Sequence, residues 1–347
     1  MTGPGGDLEV FLDETQGETR GVVMRDGRFI HLLIARETDV PQHRLGARSV
    51  GRVREISVGL RGAFIDLGTN LDAFLPLAKV DRVAQGERIE VVVTAEPRET
   101  KGAVVRRTGV GEGAPRLLES APDILSQLGV LAPDVAPVIG VAAIDVAIEA
   151  EEEALSRQFA FPSLGLDLAV ERTRALIAVD IDHAPTPGRD PKQARGRANR
   201  EGLAQAARLI GLKRWGGLVA IDLAGGGQDG EAALKAARAA FAATADVGFG
   251  PVSRFGLLQV STPWMRTPIE EVLHDADGRR TAGTRALDLA RRLRRSLLVE
   301  TQAARITVRC APEEAVLLGP LAARLAPRGV VVADPAIPAG RGRIEEE

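Results

Sequence analysis

Short apolar runs, broken by charged or glycine-containing turns, cover the first hundred residues and predict β-strands. Residues 8–36 hold three such runs, with a turn at residues 25–28. From residue 49 to about residue 106 the runs are shorter and more closely spaced. That spacing predicts a small closed β-barrel.

Farther along the chain, helical periodicity joins the strand pattern. The apolar run 175–180 is followed by a polar loop, a helix at about 193–213 and a second apolar run at 217–222. This strand–helix–strand order predicts two parallel strands joined by a helical crossover. Other predicted elements are one short helix within a connector at 109–136, an acidic helix at 146–159, helices at 231–243 and 284–298, and a strand at 255–260.

The composition narrows the class of protein. The chain has 347 residues, 45% of them hydrophobic, which is enough for two or three domains with their own cores. No apolar run reaches the length of a membrane span, and the first residues lack the features of a signal peptide. Cys310 is the only cysteine, which excludes an intrachain disulfide and a zinc site built from cysteines. We therefore expect a cytoplasmic protein with no membrane span.

The charge is nearly balanced, with a formal net charge of -2, and this excludes a uniformly basic coat for nucleic acid. Basic residues nevertheless cluster in two segments. Residues 188–200 carry five basic residues and one acid, and residues 279–295 carry seven arginines and one aspartate. Such runs are either solvated helix faces or guides for a phosphate backbone.

Two phenylalanines in the predicted barrel need an explanation, because aromatic residues make up only 3% of the chain. Period-two alternation in the strand at 62–68 puts the aliphatic residues on one face and Phe64 on the other. Phe74 has the same outward position in the next strand. Either another domain covers both rings, or they form a platform on which unpaired bases stack. Lys101, near the following strand, is placed to hold a phosphate.

Two aspartates lie at the ends of the apolar runs that flank the crossover helix. Asp180 ends the first run and Asp222 ends the second. Because the carboxyl ends of parallel strands meet at one edge of a sheet, we expect the two carboxylates to converge. Paired carboxylates suit Mg²⁺, which can activate water and neutralise charge on a phosphodiester. Helix-cap or turn roles are the alternative.

Four segments carry a family resemblance. They are GRVREISVGLRGAFIDLGTNLDAFLPL at 51–77, LIAVDID at 176–182, ANREGLAQAARLIGLKRWGGLVAIDLAG at 198–225 and SRFGLLQVS at 253–261. In this order they resemble the bacterial ribonuclease E/G family. The first is similar to its S1 RNA-binding barrel, the second and third to its two catalytic motifs, and the fourth to its Ser-Arg-Phe-Gly-Leu segment.

The resemblance implies an α+β multidomain fold. The implied parts are a split RNase H-like scaffold at 1–46 and 120–168, an inserted S1/OB β-barrel at 47–108, a connector at 109–119 reduced from the 5′-sensor region of longer members, a DNase I-like α/β catalytic subdomain at 169–268, a vestigial link at 269–283 and a small αβ C-terminal domain at 284–347.

The resemblance also assigns roles to residues. Asp180 and Asp222 match the two metal-binding aspartates, with Mg²⁺ as the expected ion and Mn²⁺ as an alternative, and Asp182 adds a third carboxylate to the catalytic set. The residues matching RNA-contacting or substrate-path positions are Phe64, Phe74, Lys101, Arg254 and Asn199, the last two with a structural role as the alternative. The remnant of a 5′-phosphate pocket would consist of Arg106, Arg107 and Thr108.

The chain departs from the family pattern at three places. Asp182 occupies a position where the family has asparagine, which adds negative charge beside a phosphate backbone. The glycines 225–227 replace a stretch that in the family usually carries another acid. The cysteines of the family's zinc link are missing near residues 274–278, so no zinc is expected, the zinc-organised dimer is not implied, and homo-oligomerisation stays open.

Together these features predict a Mg²⁺-dependent endoribonuclease that cleaves single-stranded RNA by water attack and leaves a 5′-phosphate. RNA-degradation proteins are candidate partners. One alternative is a non-catalytic S1-type RNA-binding protein derived from the same family. A third is a different Mg²⁺ phosphodiesterase that acts on small nucleotides.

Overall fold

The computed structural model describes residues 6–78, 82–184, 190–225 and 230–346. Arg189 of the first basic segment and two of the three glycines at 225–227 lie outside the described residues. The chain divides into two units. The first comprises Met1–Glu151 and Thr267–Glu347, and the second comprises Glu152–Arg266.

The fold is mixed α+β, with several sheets. In the described residues the strands are β1 (Leu8–Thr15), β2 (Glu18–Arg25), β3 (Arg28–Arg36), β4 (Arg48–Ser57), β5 (Gly62–Asp66), β6 (Ala73–Pro76), β7 (Arg88–Ala95), β8 (Val104–Val110), β9 (Arg116–Glu119), β10 (Gln158–Phe161), β11 (Leu166–Arg172), β12 (Ile177–His183), β13 (Gly217–Asp222), β14 (Gly248–Phe249), β15 (Leu257–Thr262), β16 (Ile306–Cys310), β17 (Gly329–Ala333) and β18 (Arg343–Glu346). The α-helices are α1 (Ile124–Leu131), α2 (Val141–Leu155), α3 (Pro191–Lys213), α4 (Gly230–Ala240), α5 (Ile269–Leu273), α6 (Ala282–Val299) and α7 (Pro312–Leu325). No helix among the described residues is long and apolar enough to cross a membrane.

The N-terminal strands form an antiparallel sheet in the order β1-β2-β3, covered on one face by α1. Asp123 caps α1, because its carboxylate accepts a hydrogen bond from the Ser126 backbone N–H at 2.7 Å. Gly21 lets the helix approach β2, since a Cβ there would lie 2.7 Å from the Ile124 side chain. The helix therefore packs directly on the sheet through its apolar face.

The predicted barrel is present and closed. Its strands follow one another as β4-β5-β6-β8-β7, and β7 pairs with β4 again to close the ring. Ala63, Ile65 and Leu67 are fully buried in its core, as the alternation predicts, and each large aliphatic side chain there contributes roughly 1.5–3 kcal/mol. The segment 109–119 is not a plain connector, because β9 pairs with β4 and extends the barrel sheet. β9 has only four residues, two of them charged, so the sequence pattern does not predict it as a strand.

The C-terminal part of the first unit is a three-stranded sheet in the order β17-β16-β18, packed against α6 and α7. The helix α6 also reaches the N-terminal sheet. Arg291 is buried and donates hydrogen bonds to Asp13 at 2.6 Å and to Glu18 at 2.8 Å. Glu18 in turn pairs with Arg20 at 2.6 Å, and Arg20 with Glu151 at 2.6 Å.

This network changes the interpretation of the arginines at 279–295. Arg280 pairs with Glu151 and Asp288, Arg294 pairs with Asp13, and the exposed Arg295 pairs with Asp145. Much of the segment is therefore used for ion pairs inside the first unit, although Arg279 and Arg292 remain exposed. Arg291 can be buried on this helix because acids of β1 and β2 face it.

The second unit contains one six-stranded sheet in the order β10-β11-β12-β13-β15-β14. Only β12 and β13 are parallel, and α3 is the crossover between them. Both α3 and α4 pack on one face of the sheet and form its core with the inward residues of β11, β12 and β13. The last part of the segment predicted as scaffold, 120–168, lies in this sheet, because β10 and the start of β11 pair within it. β10 follows α2 directly in sequence, and nothing in its sequence predicts that it pairs with β11.

Candidate functional site

The open face of the second unit's sheet carries the two predicted aspartates as neighbours. Along β12 the residues alternate between buried and exposed, so that Asp180 points away from the helices. Asp222 is likewise exposed at the end of β13. In the parallel ladder the two are register partners, on strands about 4.8 Å apart. The carboxylates therefore converge at one edge of the sheet.

Two further aspartates join this pair. Asp182 lies on the same face of β12, and its register partner across the antiparallel ladder is Asp167 of β11. Burial raises the pKa of the Asp180 carboxyl, and the negative charges of Asp222, Asp182 and Asp167 raise it further. Three carboxylates thus act electrostatically on a fourth, that of Asp180. Asp167 was missed in the sequence, although the alternation Leu-Asp-Leu-Ala-Val at 166–170 already places it on the exposed face.

Asp182 is partly engaged with its own backbone. One of its carboxylate oxygens accepts a hydrogen bond from the His183 backbone N–H at 2.7 Å. An asparagine oxygen would accept the same bond, so aspartate differs from asparagine at this position in charge rather than in hydrogen bonding. The aspartate therefore increases the electrostatic repulsion within the acidic group.

The donor set suits a hard divalent cation, since carboxylate oxygens are the ligands that Mg²⁺ prefers. Within the described ranges, no group of three or more His, Cys, Asp or Glu side chains is arranged to hold a metal ion. Asp180 and Asp222 could supply two protein ligands, a number that would fit an ion that keeps several waters and takes a substrate phosphate. The pair fits Mg²⁺ on this basis, with phosphate and water completing the shell.

Asn199 on α3 holds the segment that follows Asp222. Its side-chain NH₂ donates to the Ala224 carbonyl at 3.2 Å, and its side-chain oxygen accepts from the Ala224 backbone N–H at 2.9 Å. Both hydrogen-bonding ends of the amide are thus used on one residue. The structure supports the positioning role of Asn199 rather than the RNA contact named with it.

Arg254 and Phe255 lie in a tight turn just before β15. The Ser253 hydroxyl accepts hydrogen bonds from the backbone N–H groups of Phe255 and Leu257, at 3.3 and 3.2 Å. Phe255 is 73% exposed, and the Arg254 guanidinium lies 4.6 Å from its ring centroid. We call the carboxyl-end region of β12 and β13 that carries Asp180, Asp182 and Asp222, with Asp167 beside it, the acidic edge. The turn adjoins this edge, because Leu257 is the register partner of Asp222.

The barrel residues form a second, separate group. Phe64 and Phe74 are register partners on β5 and β6, and their rings meet edge to face with centroids 5.7 Å apart. Both rings are partly exposed on the outer side of the barrel. Gly102 touches the chain beside Phe74, since a Cβ there would lie 1.8 Å from the Asp72 carbonyl oxygen. Lys101 precedes this glycine and is exposed, and its ammonium lies 3.9 Å from the Glu99 carboxylate.

The three residues of the predicted 5′-phosphate pocket lie on β8 and do not form one pocket. Arg106 and Thr108 are exposed, whereas Arg107 pairs with Glu87 at 2.8 Å. The strand is regular in its pairing with β7 apart from two register shifts. Arg107 is therefore occupied by the barrel itself.

The segment at 274–278 is a turn. His274 and Arg280 form an isolated bridge, and the Asp275 carboxylate accepts hydrogen bonds from the backbone N–H groups of Asp277 and Arg279. Cys310 lies in β16, fully buried in the core of the C-terminal sheet. The Asp275 carboxylate therefore stabilises the turn at 274–278.

Searches for related proteins add nothing to these observations. No protein-family model matches the chain. No curated protein sequence matches it either.

Proposed function

We propose that the chain is a Mg²⁺-dependent endoribonuclease that cleaves single-stranded RNA and leaves a 5′-phosphate. The observation that carries the proposal is the register pair of Asp180 and Asp222 on an open sheet face. Two exposed, adjacent carboxylates on parallel strand ends repel each other unless a cation lies between them. Because this repulsion lowers the stability of the fold, we attribute the pair to the binding of a cation.

The proposal includes the finer fold. The closed barrel has the strand order of an OB-type barrel, in keeping with the S1 resemblance, and β1–β3 with α1 would belong to the RNase H-like scaffold. The sheet with Asp180 and Asp222 would be the DNase I-like subdomain. These assignments rest on the resemblance to the ribonuclease E/G family and on strand order.

In this mechanism Asp180 and Asp222 would hold the metal ion. The chemistry supplied by Mg²⁺ at such a site would be a bound water of lowered pKa and neutralisation of charge on the phosphodiester. Because its neighbours raise the pKa of Asp180, a proton competes for this carboxylate at higher pH than for an isolated aspartate. Metal binding and RNA cleavage should therefore weaken as the pH falls through that raised pKa.

Basic side chains on α3 would attract the RNA backbone to the acidic edge. Arg195 lies against the segment after Asp222, since a Cβ at Gly225 would lie 2.5 Å from the Arg195 Cδ. Lys192, Arg197 and Arg200 are exposed on the same helix. Their charges offset the repulsion between four carboxylates and a phosphate backbone. Phe64 and Phe74 would stack unpaired bases on the barrel.

The test is cleavage of an unstructured RNA oligonucleotide by the full chain, with and without Mg²⁺. Asp180→Asn and Asp222→Asn should each abolish metal-dependent cleavage. Asp246→Asn is the matched control, because Asp246 is an exposed aspartate in a turn of the same unit. Titration with Mn²⁺, followed by electron paramagnetic resonance, should show binding that both site variants lose. Cleavage that survives in both variants would contradict the proposal.

The second candidate is a non-catalytic RNA-binding protein. One observation favours it: Asp182 replaces a neutral residue, so the acidic edge repels phosphate more strongly. This candidate predicts RNA binding that weakens with salt and in Phe64→Ala or Phe74→Ala, without Mg²⁺-dependent cleavage. A phosphodiesterase for small nucleotides would instead be unaffected by the two barrel variants.

A further inference from the structure

Phe255, in the turn before β15, has an exposed aromatic side chain. Among the aromatic residues in the described ranges, only Phe255 appears with a largely exposed ring, at 73%. Exposure of one apolar side chain is common on a protein surface, so what distinguishes this ring is its surroundings: a rigid turn, an adjacent guanidinium and the nearby aspartates.

The turn that carries Phe255 is fixed by hydrogen bonds. The Ser253 backbone N–H donates to the Leu257 carbonyl at 2.8 Å, and the Gly256 backbone N–H donates to the Ser253 carbonyl at 3.0 Å. Gly256 has a φ of +86°, a conformation that residues with a Cβ rarely adopt. With the Ser253 hydroxyl bonded to two further N–H groups, the turn presents its ring without needing to reorganise.

The ring's environment fits an unpaired nucleobase. The Arg254 guanidinium lies 4.6 Å from the ring centroid, which leaves the opposite face of the ring for a flat ligand. Arginine adds a charge that suits the phosphate attached to such a base. The turn adjoins the start of β15, where Leu257 pairs with Asp222.

We propose that Phe255 and Arg254 form a nucleotide subsite, in which Phe255 stacks on an unpaired base next to the phosphate held at Asp180 and Asp222. This inference rests on the proposed function, because it takes the acidic edge as the place where RNA is cut. It assigns Phe255 a substrate-positioning role that is separate from the stacking surface on the barrel.

The first experiment measures binding of an oligoribonucleotide that carries one 2-aminopurine, placed at successive positions, to the full-length Asp180→Asn variant. Base stacking quenches this probe. Quenching at one position should be lost when Phe255→Ala is added and kept with Phe255→Trp, which still offers an aromatic face. The dissociation constant should rise roughly 5- to 140-fold, the range expected for loss of one stacked base. Met265→Ala, a change at another exposed apolar residue of the same unit, is the control and should alter neither value.

The second experiment measures cleavage of the same RNA with an abasic site at the identified position. Wild-type protein should lose activity on this substrate, whereas Phe255→Ala should cut the intact and abasic substrates equally. If the chain binds with Phe255-dependent quenching but never cuts, the subsite stands and the endoribonuclease proposal fails. If the chain cuts RNA and Phe255→Ala changes neither quenching nor the abasic effect, the subsite is refuted. The same result would follow if the ring served to bind a protein.

Discussion

Arg291→Met tests whether the buried ion-pair network stabilises the first unit. The Arg291 side chain is 1% exposed, and it donates to Asp13 at 2.6 Å and to Glu18 at 2.8 Å. Methionine keeps much of the apolar stem and removes the charge. Burial raises the pKa of Glu18, but Arg20, Arg291 and Arg36 together hold it well below its usual range.

The magnitude follows from what the two acids keep. Removing one partner of a buried ion pair costs about 3–5 kcal/mol, because it leaves an uncompensated charge. Asp13 retains Arg294 at 2.7 Å, and Glu18 retains Arg20 at 2.6 Å. We therefore expect the lower end of the range, about 3 kcal/mol. For a unit of this size 1 kcal/mol shifts Tm by roughly 2–4 °C, so the first unit should melt about 6–12 °C lower.

The assay is thermal unfolding of the full chain by circular dichroism, with hydrogen exchange to assign the transition to the first unit. Arg295→Met is the matched control. Its pair with Asp145 has side chains that are 44% and 39% exposed, so the loss should stay below about 1 kcal/mol. Adding Asp13→Asn to Arg291→Met should cost less than the sum of the two changes, because both remove the same Arg291–Asp13 ion pair. Equal losses in Arg291→Met and Arg295→Met would refute the reasoning.

Three further predictions concern the second unit and the barrel. Asp222→Asn should lower the pKa of Asp180, because it removes one of the negative charges that raise it. A carboxyl with a raised folded-state pKa adds stability in acid that is lost as the pH rises through that pKa, so the variant should melt at a higher temperature than wild type at neutral pH. An unshifted Asp180 titration by NMR would contradict this prediction. Asn199→Ala should cost about 1–3 kcal/mol of local stability, because the partly buried N–H and carbonyl of Ala224 lose their two hydrogen bonds. The loss should be seen as faster hydrogen exchange after β13, and unchanged exchange would argue against a positioning role of Asn199. Phe64→Leu should keep the barrel within about 1.5 kcal/mol of its stability while RNA affinity falls at least about fivefold, and an unchanged affinity would exclude stacking on the barrel.

The residues of the barrel and of the acidic edge could be predicted because local periodicity controls them. Alternation along β5 identified the buried side of the barrel, and the structure confirms it. The convergence of Asp180 and Asp222 followed from two apolar strands joined by one helix, and their register pairing confirms it. In both cases the decisive information lies within one or two neighbouring elements.

Other features depended on partners that are distant in sequence. The strand β9 is recognisable only through its pairing with β4, and β10 only through its pairing with β11. The arginines of α6 look like a solvated or RNA-binding face until the acids of β1 and β2 are placed against them. An exposed ring such as Phe255 is likewise invisible in sequence, since burial depends on what packs nearby.

Strand alternation, helix periodicity and the placement of carboxylates at strand ends can be predicted from sequence, because they depend on backbone geometry and on the polarity of near neighbours. Which charges are neutralised depends on tertiary contacts, since an ion pair needs two groups brought together from distant parts of the chain. The tertiary structure used the arginines of α6 within the first unit and left four aspartates together on an open face of the second. The buried Arg291 forms ion pairs with nearby carboxylates, whereas the exposed Asp180 has other carboxylates as neighbours.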